Sequence, residues 1–284
     1  MTNSLPQTYD IDEVDLPSTL ASWSKIGLTK SAQSWMVVAI LGQWIFVSYI
    51  ISFYGGAAVT GNLDIWNTVL PGSYVPGRTI GNIAFAMHVG LAGVIFIAGT
   101  LQFIPYIRNH YPTFHRWTGR SYAITAFTTS LAGLFMIASR ETSGDGLQRV
   151  GISLDAVLIL IFSVLAWRFA INHEFEKHKR WVVRLFIVVS AVWFFRISIM
   201  AWFVILKAPV GFDPKTFTGP FLDFLSFAQY LIPLAFVELY FWAQRKSNTL
   251  INIGATAAIV FAILLTATGI SAATMGMWLP KMGL

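Results

Sequence analysis

The chain of 284 residues carries 19 Lys and Arg against 13 Asp and Glu, a net charge of +6, yet only 11% of it is charged while 56% is hydrophobic and 15% aromatic. Soluble domains hold about 25% charged residues, so this chain lacks the charge to cover a water-facing surface, and its mean hydropathy of +0.65 agrees. The composition is that of an integral membrane protein. It excludes a nucleic-acid reader, because the basic residues are scattered along the ends of apolar runs; with no cysteine, disulfides, thiolate ligands and iron–sulfur clusters are excluded too.

Residues 1–32 read as an acidic cytoplasmic leader, with Asp10, Asp12, Glu13 and Asp15, and show no signal-peptide pattern. Leu20, Trp23 and Ile26, spaced by three, make the apolar stripe of a short surface helix. Beyond them, a bilayer core of roughly 30 Å needs about 20 apolar residues per helix. Seven runs qualify, at 33–54, 80–104, 118–140, 151–172, 181–207, 221–243 and 250–273. The runs are continuous rather than alternating, which excludes a β-barrel. The expected architecture is an all-α integral membrane protein, one seven-helix domain over 33–284 with a four-helix core from the second to fifth helices, 80–207.

Basic residues near helix ends set orientation. Twelve, among them Arg108, Arg116, Arg120, Arg184 and Arg245, fall on one side, and six, among them Arg78, Arg140 and Lys281, on the other. The expectation is a cytoplasmic N-terminus, an outside C-terminus and an inner (plasma) membrane location. A retinal protein is excluded, because no lysine lies between Ser247 and Pro280.

Ionisable residues inside a span are functional candidates by default. Here they are His88, Asp155, Arg196 and Glu238. His88 shares its helical face with Ala84 and Ala92, with Gly81 and Phe85 one step further round, and the small residues on either side leave room for a flat group or for a close helix; a haem or substrate contact and a packed, hydrogen-bonded histidine are both open. Arg196 reads either as the partner of Asp155 or Asp223, or as an anchor for an anionic group. Glu238 reads as a hydrated carboxylate or a proton relay. The remaining histidines, His110 with His115 and His173 with His178, are spaced by five, about 140° apart on a helix, so neither pair clips a metal from one face. No metal site is expected. His115 and His178 could still meet across two loops, with Arg116, Arg120 and Arg184 around them, in a pocket suited to a quinone headgroup, a haem propionate edge or an anionic lipid.

The stretch Pro112-x-x-His115-Arg116-Trp117-x-Gly119-Arg120-x-Tyr122, followed by His178-Lys179-Arg180-Trp181-x-x-Arg184 and preceded by His88 and Gln102, resembles the predicted membrane-protein family known as domain of unknown function 2306, over about residues 85–200. The resemblance implies that His88, His115, Arg116, Arg120, His178, Arg184 and Arg196 belong to the family's motifs, and it implies no activity. The expected function is binding of a hydrophobic cofactor or lipid-like ligand, haem b, quinone or lipid, in redox or respiratory-assembly work. A small proton-coupled transporter and a structural subunit among other membrane subunits are the alternatives. The lipid bilayer is the expected partner, and nucleic acid is not.

Overall fold

In a computed structural model of the chain, residues 18–69, 72–139 and 146–284 are described; the acidic leader and Arg140 lie outside them. Every apolar run becomes a helix, as backbone groups surrounded by apolar side chains must pair within the segment. The first is α1, Ser18–Tyr49, which continues through a π-helical stretch, Ile50–Gly55, into α2, Gly56–Thr60. Leu20, Trp23 and Ile26 thus sit on the same helix as the first apolar run, all three exposed. A 3-10 turn, Leu63–Thr68, leads to α3, Thr79–Leu101. The short α4, Pro105–His110, precedes α5, Pro112–Ser139. Next come α6, Gly146–Ile171, then α7, Phe175–Val189, and α8, Ala191–Leu206. Helices α9, Pro220–Lys246, and α10, Thr249–Ala273, follow, and a second π-helical stretch, Thr274–Trp278, runs into α11, Leu279–Met282. The one β pairing among the described residues is the bridge between Asp213 and Thr218.

Five of these helices are long and apolar enough to cross a membrane, and a sixth span results if α7 and α8, bent by 53°, count as one. The chain is a multi-pass membrane protein. Helix α5, the remaining long one, begins at Pro112 rather than at the expected 118, because proline fits the first turn, where its missing N–H costs nothing. Thr118 therefore lies inside the helix and does not cap it; its hydroxyl donates to Phe114 O at 2.9 Å.

The bend between α7 and α8 sits at Ser190. Its hydroxyl donates to Phe186 O at 2.6 Å and accepts from Gln43 Nε2 at 2.9 Å. Side-chain hydroxyls that bond back to the preceding turn bend helices. The bent pair is the centre of the fold: Leu185, Phe186, Ile187, Val188, Ser190, Ala191 and Trp193 are all buried. Burial extends beyond the expected four-helix core. The largest cluster joins α1 residues Phe46, Val47 and Tyr49, and Phe53 of the π-helical stretch, to Phe96 of α3, Trp193 and Ile197 of α8, and Ile270 and Trp278 near the chain end.

Close helix approaches depend on glycine. A Cβ at Gly42 would fall 2.5 Å from Ile270 Cδ1 and 2.8 Å from Trp193, and one at Gly269 would fall 2.6 Å from Ile197 O. Residue pairing gives the helix directions. Ser24 meets Asn252, Trp35 meets Thr266 and Tyr49 meets Trp278, so α1 and α10 run parallel. Trp44 meets Thr100 and Tyr54 meets Phe85, so α3 is antiparallel to α1. The end of the bundle where α1 starts is termed proximal and the opposite end distal.

Candidate functional site

The seven site residues separate into two groups. His88 lies on α3 toward the distal end, whereas Gln102, fourteen residues further along α3, bonds Thr118 at 2.8 Å beside His115. At 1.5 Å per residue the two groups are about 20 Å apart. One pocket cannot hold both.

At the distal end, His88 lines a cavity of about 120 Å³ together with Gly72, Ser73, Val75, Arg78, Gly81, Asn82 and Phe85. Gly81 and Phe85 are on the face that sequence spacing assigns to His88. The roof is the loop before α3, and two asparagines shape it. Asn67 donates its amide to Tyr74 O at 2.9 Å and accepts from Tyr74 N at 3.1 Å. Asn82 does the same with Val75, at 2.9 and 3.0 Å. Each amide side chain thus replaces a strand partner and holds the loop in one shape over His88. Helical periodicity does not point to Arg78, Asn82 or Ser73; the paired spacing of seven, Asn67 to Tyr74 and Val75 to Asn82, is the signal that was available.

Behind His88 stands Arg196, close enough for the two to interact electrostatically. Its guanidinium donates to Val192 O at 3.0 Å and lies 5.4 Å from the Phe46 ring centre. The expected ion pair with Asp155 or Asp223 is not formed. Asp223 accepts from Gln148 at 3.3 Å, and Asp155 faces α9, within electrostatic reach of Tyr230. Asp155 on α6 is turned toward α9 and Asp223 on α9 toward α6, so neither carboxylate reaches Arg196. Around Arg196 runs a continuous aromatic wall: Phe46 packs on Trp278 and Tyr49, Tyr49 on Phe53 and Tyr54, and Tyr54 on Trp66 and Phe85. Several polar atoms here are buried without a hydrogen-bond partner: His88 Nδ1, Trp66 Nε1 and Trp278 Nε1. Native proteins leave few such groups, so each calls for an explanation.

At the proximal end, His178 Nδ1 bonds Ala166 O at 2.9 Å. A carbonyl only accepts, so Nδ1 carries a proton, and in the neutral tautomer that this bond selects the lone pair is on Nε2. His115 lies within electrostatic reach of His178, and its Nδ1 is buried with no partner. Burial first, then the charges of Arg108, His178 and Arg116, hold the His115 imidazole below its ordinary range. Arg116 and Arg120 are exposed; Arg116 donates to Thr113 at 3.1 Å and Arg120 lies 5.2 Å over Trp117. Arg184 is committed elsewhere. It holds Glu238 with two bonds of 2.6 and 3.0 Å and stacks over Trp181 and Phe241. Glu238, read from the sequence as a hydrated group or a proton relay, is an ion-pair partner joining α7 to α9. The other motif residues also pack helices: a Cβ at Gly99 would fall 2.8 Å from the Tyr122 ring, and one at Gly119 2.8 Å from Gln102 Oε1. Among the described residues, no group of three His, Asp or Glu is placed to hold a metal ion.

No curated protein and no solved structure matches the chain. A family described as predicted membrane protein (DUF2306) matches residues 85–241. The match extends past the expected limit of 200 through most of α9, and so takes in Glu238 and Phe241, the partners of Arg184. With 157 of 284 residues covered, the chain belongs to this family of predicted membrane proteins.

Proposed function

We propose that the chain is a seven-span protein of the inner (plasma) membrane that binds a hydrophobic, lipid-like ligand in the distal pocket at His88. The observation that carries this reading is the cavity lined by Arg78 and His88, with an arginine, Arg196, within electrostatic reach of His88 and without an acidic partner among the described residues. A guanidinium within a span is costly unless paired or hydrated, and His88 Nδ1 nearby is unpartnered. About 120 Å³ is below the 300 Å³ at which drug-sized pockets begin, so the pocket takes the head of a ligand whose tail lies in the bilayer. The parallel course of α1 and α10 is consistent with seven and disfavours six: with strictly alternating helices, first and last spans run the same way only if their number is odd. With the basic residues as a guide, the distal end faces outside.

The test is mass spectrometry of the organic extract from protein purified in mild detergent, compared with the bulk membrane extract. A lipid or quinone enriched with the wild type and lost in His88→Phe, which fills the pocket, is the expected result. Equal extracts from both proteins would overturn the reading.

A second reading concerns His115 and His178, and the fixed tautomer of His178 favours it: a ligating imidazole ordinarily gives its other N–H to a carbonyl or carboxylate. Here these histidines hold a haem or quinone edge at the cytoplasmic side, with Arg116 and Arg120 near the anionic edge. An absorption spectrum decides it. A haem band in the wild type and its loss in the His115→Ala/His178→Ala double variant, with membrane insertion kept, is expected; a spectrum without a haem band, or with a band unchanged in the double variant, refutes the haem reading.

A further inference from the structure

The donors around the pocket define the ligand's head more narrowly, and this step rests on the distal-pocket reading. Arg78 lines the cavity and Arg196 stands behind His88. Neither arginine forms an ion pair with a described residue, unlike Lys177 with Glu174, Lys179 with Glu176 and Arg184 with Glu238 at the proximal end. The unpartnered indole N–H groups of Trp66 and Trp278 can donate but not accept. The carbonyl-bearing amides that could have served a donor ligand, Asn67 and Asn82, are already spent on the loop. The buried carbonyl and carboxylate oxygens left open among the described residues, Gln43 Oε1 at the Ser190 bend, Asp155 Oδ1 on α6 and Asn252 Oδ1 on α10, are not in the cavity lining. Two uncompensated positive charges among donors call for a group that accepts at every point and carries negative charge. A neutral quinone meets only half of that requirement.

The surroundings point to a lipid as the bearer of that charge. Beside the cavity, α3 exposes Ile80, Ile83 and Met87, spaced three and four residues apart and 85%, 54% and 59% accessible. This stripe begins level with Arg78 and descends along the helix, where an acyl chain would lie if its head reached into the pocket. We infer that the distal pocket is a site for the phosphate head of an anionic phospholipid, with Arg78 at the mouth, His88 at the floor and Arg196 supplying the field behind it.

The inference is tested with full-length protein in nanodiscs of phosphatidylcholine doped with phosphatidylglycerol, retained lipid being read by native mass spectrometry. The wild type is expected to retain phosphatidylglycerol over phosphatidylcholine. Arg78→Gln, an exposed change that leaves the packed helices untouched, should weaken that retention about tenfold, the scale of one charged hydrogen bond, and Arg196→Lys should weaken it less than Arg196→Gln. Displacement of the lipid by millimolar inorganic phosphate would show a free anion to be the ligand and overturn the lipid assignment. Equal retention of both lipids, with a ubiquinone analogue retained in a His88-dependent way, would overturn the anionic head while the pocket reading stands. If neither the lipids nor the quinone is retained, both fall.

Discussion

Gly269→Ala is the sharpest test of the packing that frames the distal site. Gly269 is buried on α10 against α8, and an added Cβ would lie 2.6 Å from Ile197 O, 3.0 Å from Ile197 Cβ and 3.1 Å from its carbonyl carbon. Two of these three atoms are backbone, so no rotamer change relieves the contact and the two helices must separate. Overpacking of this kind costs about 1–3 kcal/mol. The proper control is Gly254→Ala on the same helix, where the new Cβ meets nothing within 4 Å. Both substitutions gain the same helix propensity, roughly 0.5–1 kcal/mol, so their difference isolates the steric cost. At about 2–4 °C for each kcal/mol in chains of 150–250 residues, Gly269→Ala should melt about 2–12 °C below Gly254→Ala, read by tryptophan fluorescence during heating in detergent. Equal melting temperatures would mean that α8 and α10 do not approach as described, and the seat of Arg196 on α8 would have to be redrawn.

Gly119→Ala should lose far less, under about 1 kcal/mol, because the nearest atom is the amide end of Gln102, which can rotate away; the same melting assay checks it. Arg184→Lys should destabilise by about 1 kcal/mol, since lysine replaces a two-point hold on a half-exposed carboxylate with one and loses the stacking on Trp181 and Phe241; an unchanged melting temperature would show the pair to be idle. His115 is held below its ordinary 6.5, so the folded state binds the proton less well than the unfolded. Its contribution is therefore complete above about pH 6.5 and is lost as pH falls below that value. The wild type should lose stability on acidification more steeply than His115→Gln, and parallel slopes would refute the assignment. A reporter fused after Leu284 should be active only outside the cytoplasm.

Much of the fold is legible because each span needs a long apolar run and the runs are visible: 80–104 became Thr79–Leu101 and 221–243 became Pro220–Lys246. The bend in 181–207 was not. Ser190 is one hydroxyl in an apolar stretch, and nothing local separates it from Ser198 further along the same stretch; what distinguishes it is Gln43, 147 residues away. Depth was legible and azimuth was not. Counting residues from the span ends placed Arg196, Asp155 and His88 at similar heights, and the suggested pairing failed because Asp155 looks toward Tyr230 on α9. Glu238 was misread for the same reason: Arg184 counts among interface cations when only the span limits are known, yet it lies nine residues into α7 and reaches α9 directly.

The placement of the acids bears on why the distal arginines stand apart. At the proximal end the chain spends its carboxylates on cations: Glu174 on Lys177 at 2.5 Å, Glu176 on Lys179 at 2.7 Å and Glu238 on Arg184 at 2.6 Å. The first two pairs are exposed and worth little, so neutralising them was not a necessity of folding. Arg196 is the cation for which pairing would matter most, because it lies within a span, and the neighbouring helices α6 and α9 carry acids in Asp155 and Asp223. The fold directs both toward α6 and α9 neighbours and packs Arg196 against Phe46 instead. An internal carboxylate at Arg196 would neutralise the guanidinium permanently and occupy the space next to His88. Leaving the charge open costs stability in the empty protein, and that cost is returned only when something negative enters. On the proposed reading, the same arginine is the source of selectivity for an anionic ligand, so substituting Arg196 with glutamine should make the ligand-free protein no less stable while abolishing retention of anionic over zwitterionic lipid.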